Sequence, residues 1–479
     1  MNFCLRTLLG VKVSHLILYS AILFAAHTTQ ATADELPISI LKYVEQAMSQ
    51  SNDALAIADL EAISDLDLNS QLLNYDFQWT PSLSLSNSPF GRSQSMGIIG
   101  TKKFEFGTEV RLKTNYEQYE SNVTNNVSKS PSVEISIEQE LFRNFGRESG
   151  RHQLNVAELQ KKLSYLQTIE RRQNLIKRAL SVYFNTYLVE NKLQLTKLGL
   201  VRGEETLAIT RSRFNMGLVS KLDLYRAERE YLTLTNKYNQ LQQQLISQQA
   251  DLKIFINWRS TKTLVLQKVD TFKASFDNVE LTQAYLNRPD WRRQTVIHQI
   301  KKLELKKAKR DLLPDVKLRL GAKKYYDFFE NELGYQNDET DWNVGLQYST
   351  SLDMTKEQNR YDRMQILYKQ FVREQDRIQQ TITASIVQSV QNVKHLAQAS
   401  ELNEQILQQS ELAVDLATLR FQKGLSSNLE LVEAETQYQQ NQLALLDGQI
   451  SYNLALVELA QHLGILDIKW LEQAVPQHD

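Results

Sequence analysis

The stretch RFNMGLVSKLDLYRAE, residues 213–228, occurs a second time as RFQKGLSSNLELVEAE, residues 420–435. Nine of the sixteen positions are identical, and Asp223 is matched by the acidic Glu430. Each copy lies between two long segments of helical periodicity. A repeat of this length predicts two similar supersecondary units in one chain, each a pair of helices joined by a short turn.

Glycine defines the turn in both copies. Gly217 and Gly424 are expected to turn the chain, and Gly217 to adopt a positive φ, which glycine tolerates because it has no Cβ. Ser220 follows the first turn at a position where its hydroxyl can cap the returning helix. Both turns are therefore expected to close a helical hairpin.

A second internal repeat lies before each long helix. PSLSL at residues 81–85 resembles PDVKL at residues 314–318, and Val133 and Val344 belong to alternating segments 211 positions apart. Each half is therefore predicted to run helix, strand, strand, very long helix, tight turn, helix.

Six segments show helical periodicity, at residues 38–78, 152–212, 221–258, 279–312, 354–419 and 427–462. At roughly 1.5 Å per residue the segment 152–212 would be about 90 Å long. A helix of that length cannot be buried in a small globule, so we expect it to lie side by side with other helices.

Four segments alternate apolar and polar residues with a period of two, at residues 104–117, 133–141, 315–328 and 342–352. This pattern predicts strands with one apolar and one charged face, and it suits a membrane barrel with a water-filled lumen. A soluble sheet would give a similar pattern and stays an alternative. The Ser- and Gly-rich residues 82–100 are assigned no strand. Four strands cannot close a barrel and open edges are not tolerated in lipid, so strands from several copies would have to complete it.

Residues 1–33 have the features of a secretory signal peptide: a basic start, the apolar core LILYSAILFAA at residues 16–26, and a small-residue cleavage site ending at Ala33. An anchoring helix is the alternative. The sole cysteine, Cys4, lies inside this segment, so no disulfide framework is expected. No later apolar run reaches about 18 residues, which leaves a periplasmic, secreted or outer-membrane barrel protein.

The composition argues against several other classes of protein. The formal charge is −1, from 55 basic and 56 acidic residues, so no nucleic-acid partner is implied. The seven histidines are scattered and none has metal-ligand spacing. The sequence contains no Gly-x-Ser-x-Gly motif and no phosphate-binding glycine loop. We therefore expect no enzyme activity, no cofactor and no metal site.

The repeated RF-x-x-G-L-x-S-x-L-[DE]-L-x-x-A-E segments, the helix–proline–strand junctions and QELFRNFG at residues 139–146 resemble the TolC-like outer-membrane efflux protein family. The resemblance implies an α+β membrane protein that assembles as a homotrimer. Four transmembrane strands per protomer would form a shared 12-stranded β-barrel in outer-membrane lipid. The long helices would form a periplasmic α-barrel. In it the shorter helices could stack end to end, 38–78 with 221–258 and 279–312 with 427–462, so that each stack matches one long helix in length.

The resemblance places the two turns at the periplasmic tips of the helices. There they would contact a periplasmic adaptor protein that links to an inner-membrane transporter. The residues implied are Arg213, Phe214, Gly217, Leu218 and Ser220 in the first hairpin, and Arg420, Phe421, Gly424, Leu425 and Ser427 in the second. A role limited to closing the hairpins is the alternative, and the two roles are compatible.

Members of the family narrow the tunnel near the tips with acidic side chains of the second hairpin. The matching positions are Glu430 and Glu433, which would place six carboxylates around the opening of a trimer and favour cations. Two solvated glutamates at the start of a helix are the alternative. Asp223 and Arg226 hold the same positions in the first hairpin, and Arg226 is expected to pair with a glutamate of the second hairpin and keep the tip closed.

The expected organisation is a signal peptide at 1–33, a first repeat at 34–258, an equatorial connection at 259–278, a second repeat at 279–463 and a tail at 464–479. The resemblance implies the exit duct of a tripartite efflux system. An exit duct for type I protein secretion would use the same architecture. A periplasmic coiled-coil scaffold without a channel is the alternative from another class. The polar loops 119–131 and 329–341 are expected to face outside the cell.

Overall fold

The computed structural model describes residues 35–124, 126–260, 262–273, 281–326, 328–329, 340–350 and 353–476. The predicted signal peptide and most of the second predicted external loop lie outside the described residues. The described chain forms two long helical hairpins, a small core near their middle, and an antiparallel sheet.

Two very long helices dominate the structure. Helix α4 spans His152–Asn215 and returns through α5, Lys221–Phe255. Helix α8 spans Thr355–Gln422 and returns through α9, Asn428–His462. The two predicted helical hairpins are thus confirmed, with bounds that differ by a few residues. In the part of the chain that is described, none of the helices has the length and apolar character needed to cross a bilayer.

The two helices predicted at 38–78 and 279–312 are not continuous. Each is interrupted once and forms two shorter helices. They are α1 (Ile40–Gln50), α2 (Asn52–Leu73), α6 (Leu281–Asn287) and α7 (Pro289–Arg310). Ser51 separates the first pair because it is extended and its hydroxyl accepts a hydrogen bond from the Ala54 amide at 3.1 Å, capping α2. Pro289 opens α7, where its missing N–H costs no helical hydrogen bond.

The shorter helices meet the ends of the returning helices. The Tyr43 hydroxyl of α1 donates to the Leu252 carbonyl of α5 at 3.1 Å. The Arg288 guanidinium before α7 donates to the His462 carbonyl of α9 at 2.8 Å. Helix α4 packs against both α2 and α5, and α8 packs against both α7 and α9. Each long helix is therefore matched along its length by a stack of shorter ones.

The main apolar core lies where these stacks meet. Strand β1, Glu35–Ile38, pairs in parallel with β6, Thr263–Leu266, and the C-terminal helix α10, Ile468–Ala474, packs beside them. Tyr43, Tyr183 and Phe184 are fully buried here, and the two tyrosine rings lie 5.6 Å apart. Burial of these large aromatic side chains stabilises this part of the described chain.

The sheet contains more strands than the sequence predicts. Its order is β2 (Gln78–Ser88), β3 (Gly91–Lys103), β4 (Thr108–Ser121), β5 (Val127–Glu140), β7 (Asp315–Tyr325) and β9 (Thr340–Ser349), all antiparallel, and a short β8 (Phe328–Phe329) pairs with β5. A one-turn helix α3, Arg147–Gly150, follows β5. The assignment of no strand to residues 82–100 therefore needs correction, because residues 82–88 lie in β2 and residues 91–100 lie in β3.

Small residues hid this hairpin in the sequence. Leu83 and Leu85 alternate with serines, which have a weak preference for strands. Gly97 and Gly100 are not turn residues but mark close contacts. A Cβ at Gly97 would lie 2.3 Å from the Thr114 carbonyl oxygen, and one at Gly100 would lie 2.5 Å from the Trp79 ring.

The sheet distributes polarity in the opposite way to a soluble protein. On β5, Val133 and Ile135 are exposed, whereas Ser132 is buried and Glu134 is half-buried. On β7 and β5, the polar face carries an ion-pair network in which Lys317 lies 2.8 Å from Glu138. On β5 the polar face is thus the more buried one, and the exposed face is apolar.

Candidate functional site at the helical tips

Each hairpin closes through the same glycine turn. Gly217 and Gly424 have φ values of 71° and 74°, as the sequence predicts for Gly217, and a Cβ at either position would meet open space. The amide of Leu218 donates to the Arg213 carbonyl at 2.9 Å, and that of Leu425 donates to the Arg420 carbonyl at 2.8 Å. These bonds satisfy carbonyl groups at the helix ends, as in other glycine-terminated helices.

The first tip uses its acidic residue to start the returning helix. The Ser220 hydroxyl accepts a hydrogen bond from the Asp223 amide at 3.2 Å, and the Asp223 carboxylate accepts one from the Ser220 amide at 3.2 Å. This reciprocal arrangement is a capping box. Arg226 lies one turn further on, with its guanidinium 3.6 Å from the Asp223 carboxylate.

The second tip caps its helix without that reciprocity. The Ser427 hydroxyl accepts a hydrogen bond from the Glu430 amide at 3.4 Å. The Glu430 carboxylate instead lies 3.9 Å from the Arg420 guanidinium, and both side chains are about half exposed, at 52% and 51%. The longer glutamate side chain thus reaches away from the cap and toward solvent.

Arg213 joins the two tips to each other. Its guanidinium donates to the Phe421 carbonyl at 2.8 Å and lies 4.2 Å from the centre of the Phe421 ring. Phe421 is buried, whereas its counterpart Phe214 is only half-buried. Arg213 and Phe421, both predicted as tip residues, are therefore brought together, which a cation–π contact and a charged hydrogen bond stabilise.

The apolar residues that follow each glycine are largely exposed. Leu218 and Leu425 are 69% and 68% exposed. Leu222 lies on the first returning helix and is also exposed. Contiguous exposed apolar surface is typical of a site that another protein covers.

The predicted constriction residues lie side by side on the second returning helix. Glu430 is in the first turn of α9 and Glu433 follows one turn later, and both are exposed. Within one protomer, Arg226 pairs with Asp223 of its own helix and not with a glutamate of the second hairpin. The closing contact predicted for Arg226 therefore stays a prediction for the contact between protomers.

Glu435 is an ionisable residue that the sequence analysis did not single out. It ends the second copy of the motif and is half-buried. Burial raises the pKa of its carboxyl; Arg202 opposes this rise, whereas Glu205 and Glu230 add to it. Its neighbourhood is crowded, because a Cβ at Gly199 of α4 would lie 1.6 Å from the Gln439 side chain of α9. A glycine at position 199, in the interior of a long helix, is the sequence signal for this close packing.

Comparisons with known proteins agree with this architecture. The sequence profile of a family described as outer membrane efflux protein matches residues 105–257 and 281–465. A search of curated proteins finds no match. The matched residues make up more than half of the chain and include both helical hairpins.

Solved structures of similar fold include three outer-membrane channels or channel-forming proteins. The CmeC outer membrane channel of Campylobacter jejuni has a TM-score of 0.67 at 15% identity, covering 91% of this chain and 88% of that one. The open-state MtrE outer membrane channel of Neisseria gonorrhoeae has a TM-score of 0.67 at 16% identity, covering 89% of each chain. CusC, described in terms of transmembrane channel formation, has a TM-score of 0.69 at 15% identity, covering 89% of this chain and 92% of that one.

Proposed function

The chain belongs to the outer membrane efflux protein family, and on that premise we propose that it is the exit duct of a tripartite efflux system. The sheet lies in the outer membrane and the long helices extend into the periplasm. Substrates delivered by an inner-membrane transporter and a periplasmic adaptor protein pass through the duct to the exterior without a chemical step.

The reversed polarity of the sheet carries this proposal. Val344 and Leu346 of β9 are exposed, at 62% and 67%, with no protein element covering their face in the described chain. Between them lies Gly345, and Gln347 follows on the opposite face. A soluble sheet buries its apolar face, whereas a membrane barrel turns that face to lipid and encloses the polar one.

The ends of the sheet support an assembly of several copies. Strands β2 and β9 are the two ends of the strand order. An open sheet edge leaves backbone N–H and C=O groups without partners, which is not tolerated in lipid. Further copies of this chain must therefore close the sheet, and three copies agree with the resemblance described above.

The tips are the proposed contact with the adaptor protein. The exposed Leu218 and Leu425 supply apolar surface, and the Arg213–Phe421 contact holds the two hairpins in a fixed relation. In the trimer, Glu430 and Glu433 form the proposed constriction, where repeated carboxylates favour cations. Both assignments place the partner contact and the narrowest opening at the same end of the molecule.

Expression of the full chain, followed by membrane fractionation, cross-linking and planar-bilayer recording, tests this function. We expect the protein in the outer-membrane fraction, a cross-linked trimer, and discrete ion conductance. An Asn122→Cys variant should react with an impermeant thiol reagent on intact cells, because Asn122 lies in the loop between β4 and β5. A Leu318→Pro variant is the negative control for assembly: proline removes a hydrogen bond from the interior strand β7, so this variant should give neither the trimer nor the conductance.

Two results would contradict the proposal. A soluble monomer would refute the membrane assembly, and labelling of the Asn122→Cys variant only after the outer membrane is broken would refute the topology. Recovery of an adaptor protein and an inner-membrane transporter after cross-linking in cells tests the tripartite part. If neither protein is recovered but the trimer conducts normally, the chain would be a pore that does not belong to a tripartite system.

A further inference from the structure

The first repeat contains a β-hairpin that the second repeat lacks. Pro81 and Pro314 mark equivalent starts of the strand region, and Val133 and Val344 mark equivalent positions near its end. The separations are 52 and 30 residues, so the first repeat is longer by 22 residues. A transmembrane strand needs about 9–11 residues, so the extra length equals one additional pair of strands.

One row of neighbouring residues shows that the extra pair continues the apolar face of the sheet. Register partners across all six strands are Trp79, Gly100, Leu112, Ile135, Ala322 and Trp342. Every member is apolar or glycine, and the tryptophans at the two ends are 59% and 77% exposed. Tryptophan is enriched where a membrane protein meets the lipid–water interface.

The adjoining row shows the same continuity for the polar face. Its register partners are Gln78, Thr101, Arg111, Ser136, Gly321 and Asn343. Strand β2 also places Ser82, Ser84 and Ser86 on this face, and Ile99 of β3 is an apolar exception. The hairpin therefore has the polarity of a barrel wall, with apolar residues on one side and mostly small polar residues on the other.

The edges of the sheet fit each other. The strands alternate in direction along an even-numbered order, so β9 runs antiparallel to β2. Strands β2 and β9 contain 11 and 10 residues. Pro81 has no N–H and cannot donate a hydrogen bond to a neighbouring strand, but the other residues of β2 can. The free edge of β2 can thus pair with β9 of a second copy of this chain.

We propose that β2 and β3 are membrane-spanning strands, and that β2 pairs with β9 of the neighbouring protomer. Six strands from each of three protomers then form an 18-stranded barrel instead of the 12-stranded barrel implied by the resemblance. Because barrel diameter grows roughly linearly with strand number, the membrane part would be about 1.5 times as wide. This inference rests on the membrane trimer proposed above.

Paired cysteine variants in a Cys4→Ser background test where the hairpin lies. Leu83→Cys, on the apolar face of β2, should react with a water-soluble maleimide at least about tenfold more slowly than Ser84→Cys, because the reactive thiolate is disfavoured in lipid. Leu346→Cys and Gln347→Cys on β9 are the matched controls. A difference in maleimide reactivity between the two faces of β9, without such a difference on β2, would overturn this inference alone. Equal reactivity of the two faces on both strands would overturn the proposed membrane function as well.

Cross-linking between protomers tests the strand pairing. Cysteine at Leu85 of β2 is combined in turn with cysteine at Val344, Leu346 or Tyr348 of β9, and a short thiol cross-linker is added. We expect at least one combination to give covalent dimers and trimers on denaturing gels. Leu112→Cys of β4, combined with the same β9 variants, is the control. Cross-links from β4 and not from β2 would show a 12-stranded barrel that excludes the hairpin, and would overturn the proposal.

Discussion

Arg213 and Arg420 occupy the same position of the repeated motif, but their surroundings differ. Arg213 crosses to the other hairpin and contacts the ring and carbonyl of Phe421. Arg420 stays within its own hairpin, half exposed and 3.9 Å from Glu430. One motif thus supplies a contact between hairpins in the first repeat and an exposed charged pair in the second.

The acidic residues of the motif differ in the same way. Asp223 completes a capping box, whereas Glu430 leaves its cap and lies in solvent near Arg420. Farther along, Glu228 pairs with Arg211 at 3.0 Å, whereas its counterpart Glu435 is half-buried with a raised pKa. The first hairpin uses these acids to hold its own fold, whereas the second hairpin leaves Glu430 exposed and Glu435 half-buried.

The glycine turns are the feature that the two tips share, and their loss should have the largest effect. Gly217→Pro and Gly424→Pro each force φ near −65° where the chain has φ of 71° or 74°. We expect loss of export and of adaptor cross-linking, with trimers retained because the core lies far from the tips. Gly217→Asn and Gly424→Asn, which tolerate positive φ, are the controls. Normal export by both proline variants would show that the tips are not the docking surface.

The second prediction separates Glu430 and Glu433 from Asp223. Replacing both glutamates with glutamine should reduce cation selectivity and block by divalent cations in planar bilayers, because the carboxylates of the proposed constriction are lost. Asp223→Asn is the matched control and should leave both properties unchanged, while weakening the start of α5 by about 1 kcal/mol. An equal change in cation block from Asp223→Asn would mean that both tips line the narrowest opening.

The third prediction concerns the two arginines. Arg213→Ala should lower the free energy of unfolding of the tip by about 1–2 kcal/mol, because it loses a charged hydrogen bond and a cation–π contact. Arg420→Ala should change it by about 0–1 kcal/mol, as for other exposed ion pairs. Limited proteolysis of the hairpin tips measures the difference. An equally large effect of Arg420→Ala would indicate a partner in the neighbouring protomer, for which the half-buried Phe214 is the equivalent surface.

The smallest effect is expected at Glu435 and depends on pH. Burial raises the pKa of Glu435 in the folded state, so its ionised form destabilises the fold once the pH exceeds the unfolded value of about 4.3. Glu435→Gln should therefore stabilise the protein near neutral pH and have little effect below about pH 4. Glu228→Gln, its control, should not stabilise it at either pH. Thermal unfolding at the two pH values measures this change in stability. A stabilisation by Glu435→Gln that is the same at both pH values would contradict the prediction.

Local pattern was enough to predict the helical hairpins but not the whole sheet. The long helices and the turn at Gly217 follow from helical periodicity and from glycine, which act within a few residues. Strands β2 and β3 were missed because serine and glycine obscure an alternation that Leu83 and Leu85 do show. Their role depends on register with β4, which is a property of the folded sheet.

The contacts of the site were harder to predict than its position. The repeat located both tips, yet nothing in the motif distinguishes Arg213 from Arg420. The contact between Arg213 and Phe421 joins residues 208 positions apart. The half-burial of Glu435 likewise depends on how closely α4 approaches α9 at Gly199. Such differences arise from packing between the two repeats, which the repeated sequence does not determine.

The position of the core gives the long helices the mechanics of levers. Tyr183 and Phe184 are fully buried in the apolar core at the middle of α4. At the tip, the two hairpins are joined through the side chain of Arg213. The arm from Phe184 to Asn215 is about 46 Å long, so a rotation of about 5° about the core moves the tip by about 4 Å. A displacement of that size is wider than a water molecule. Small tilts about a fixed fulcrum are therefore enough to widen or narrow an opening between helix ends, and no helix needs to unfold.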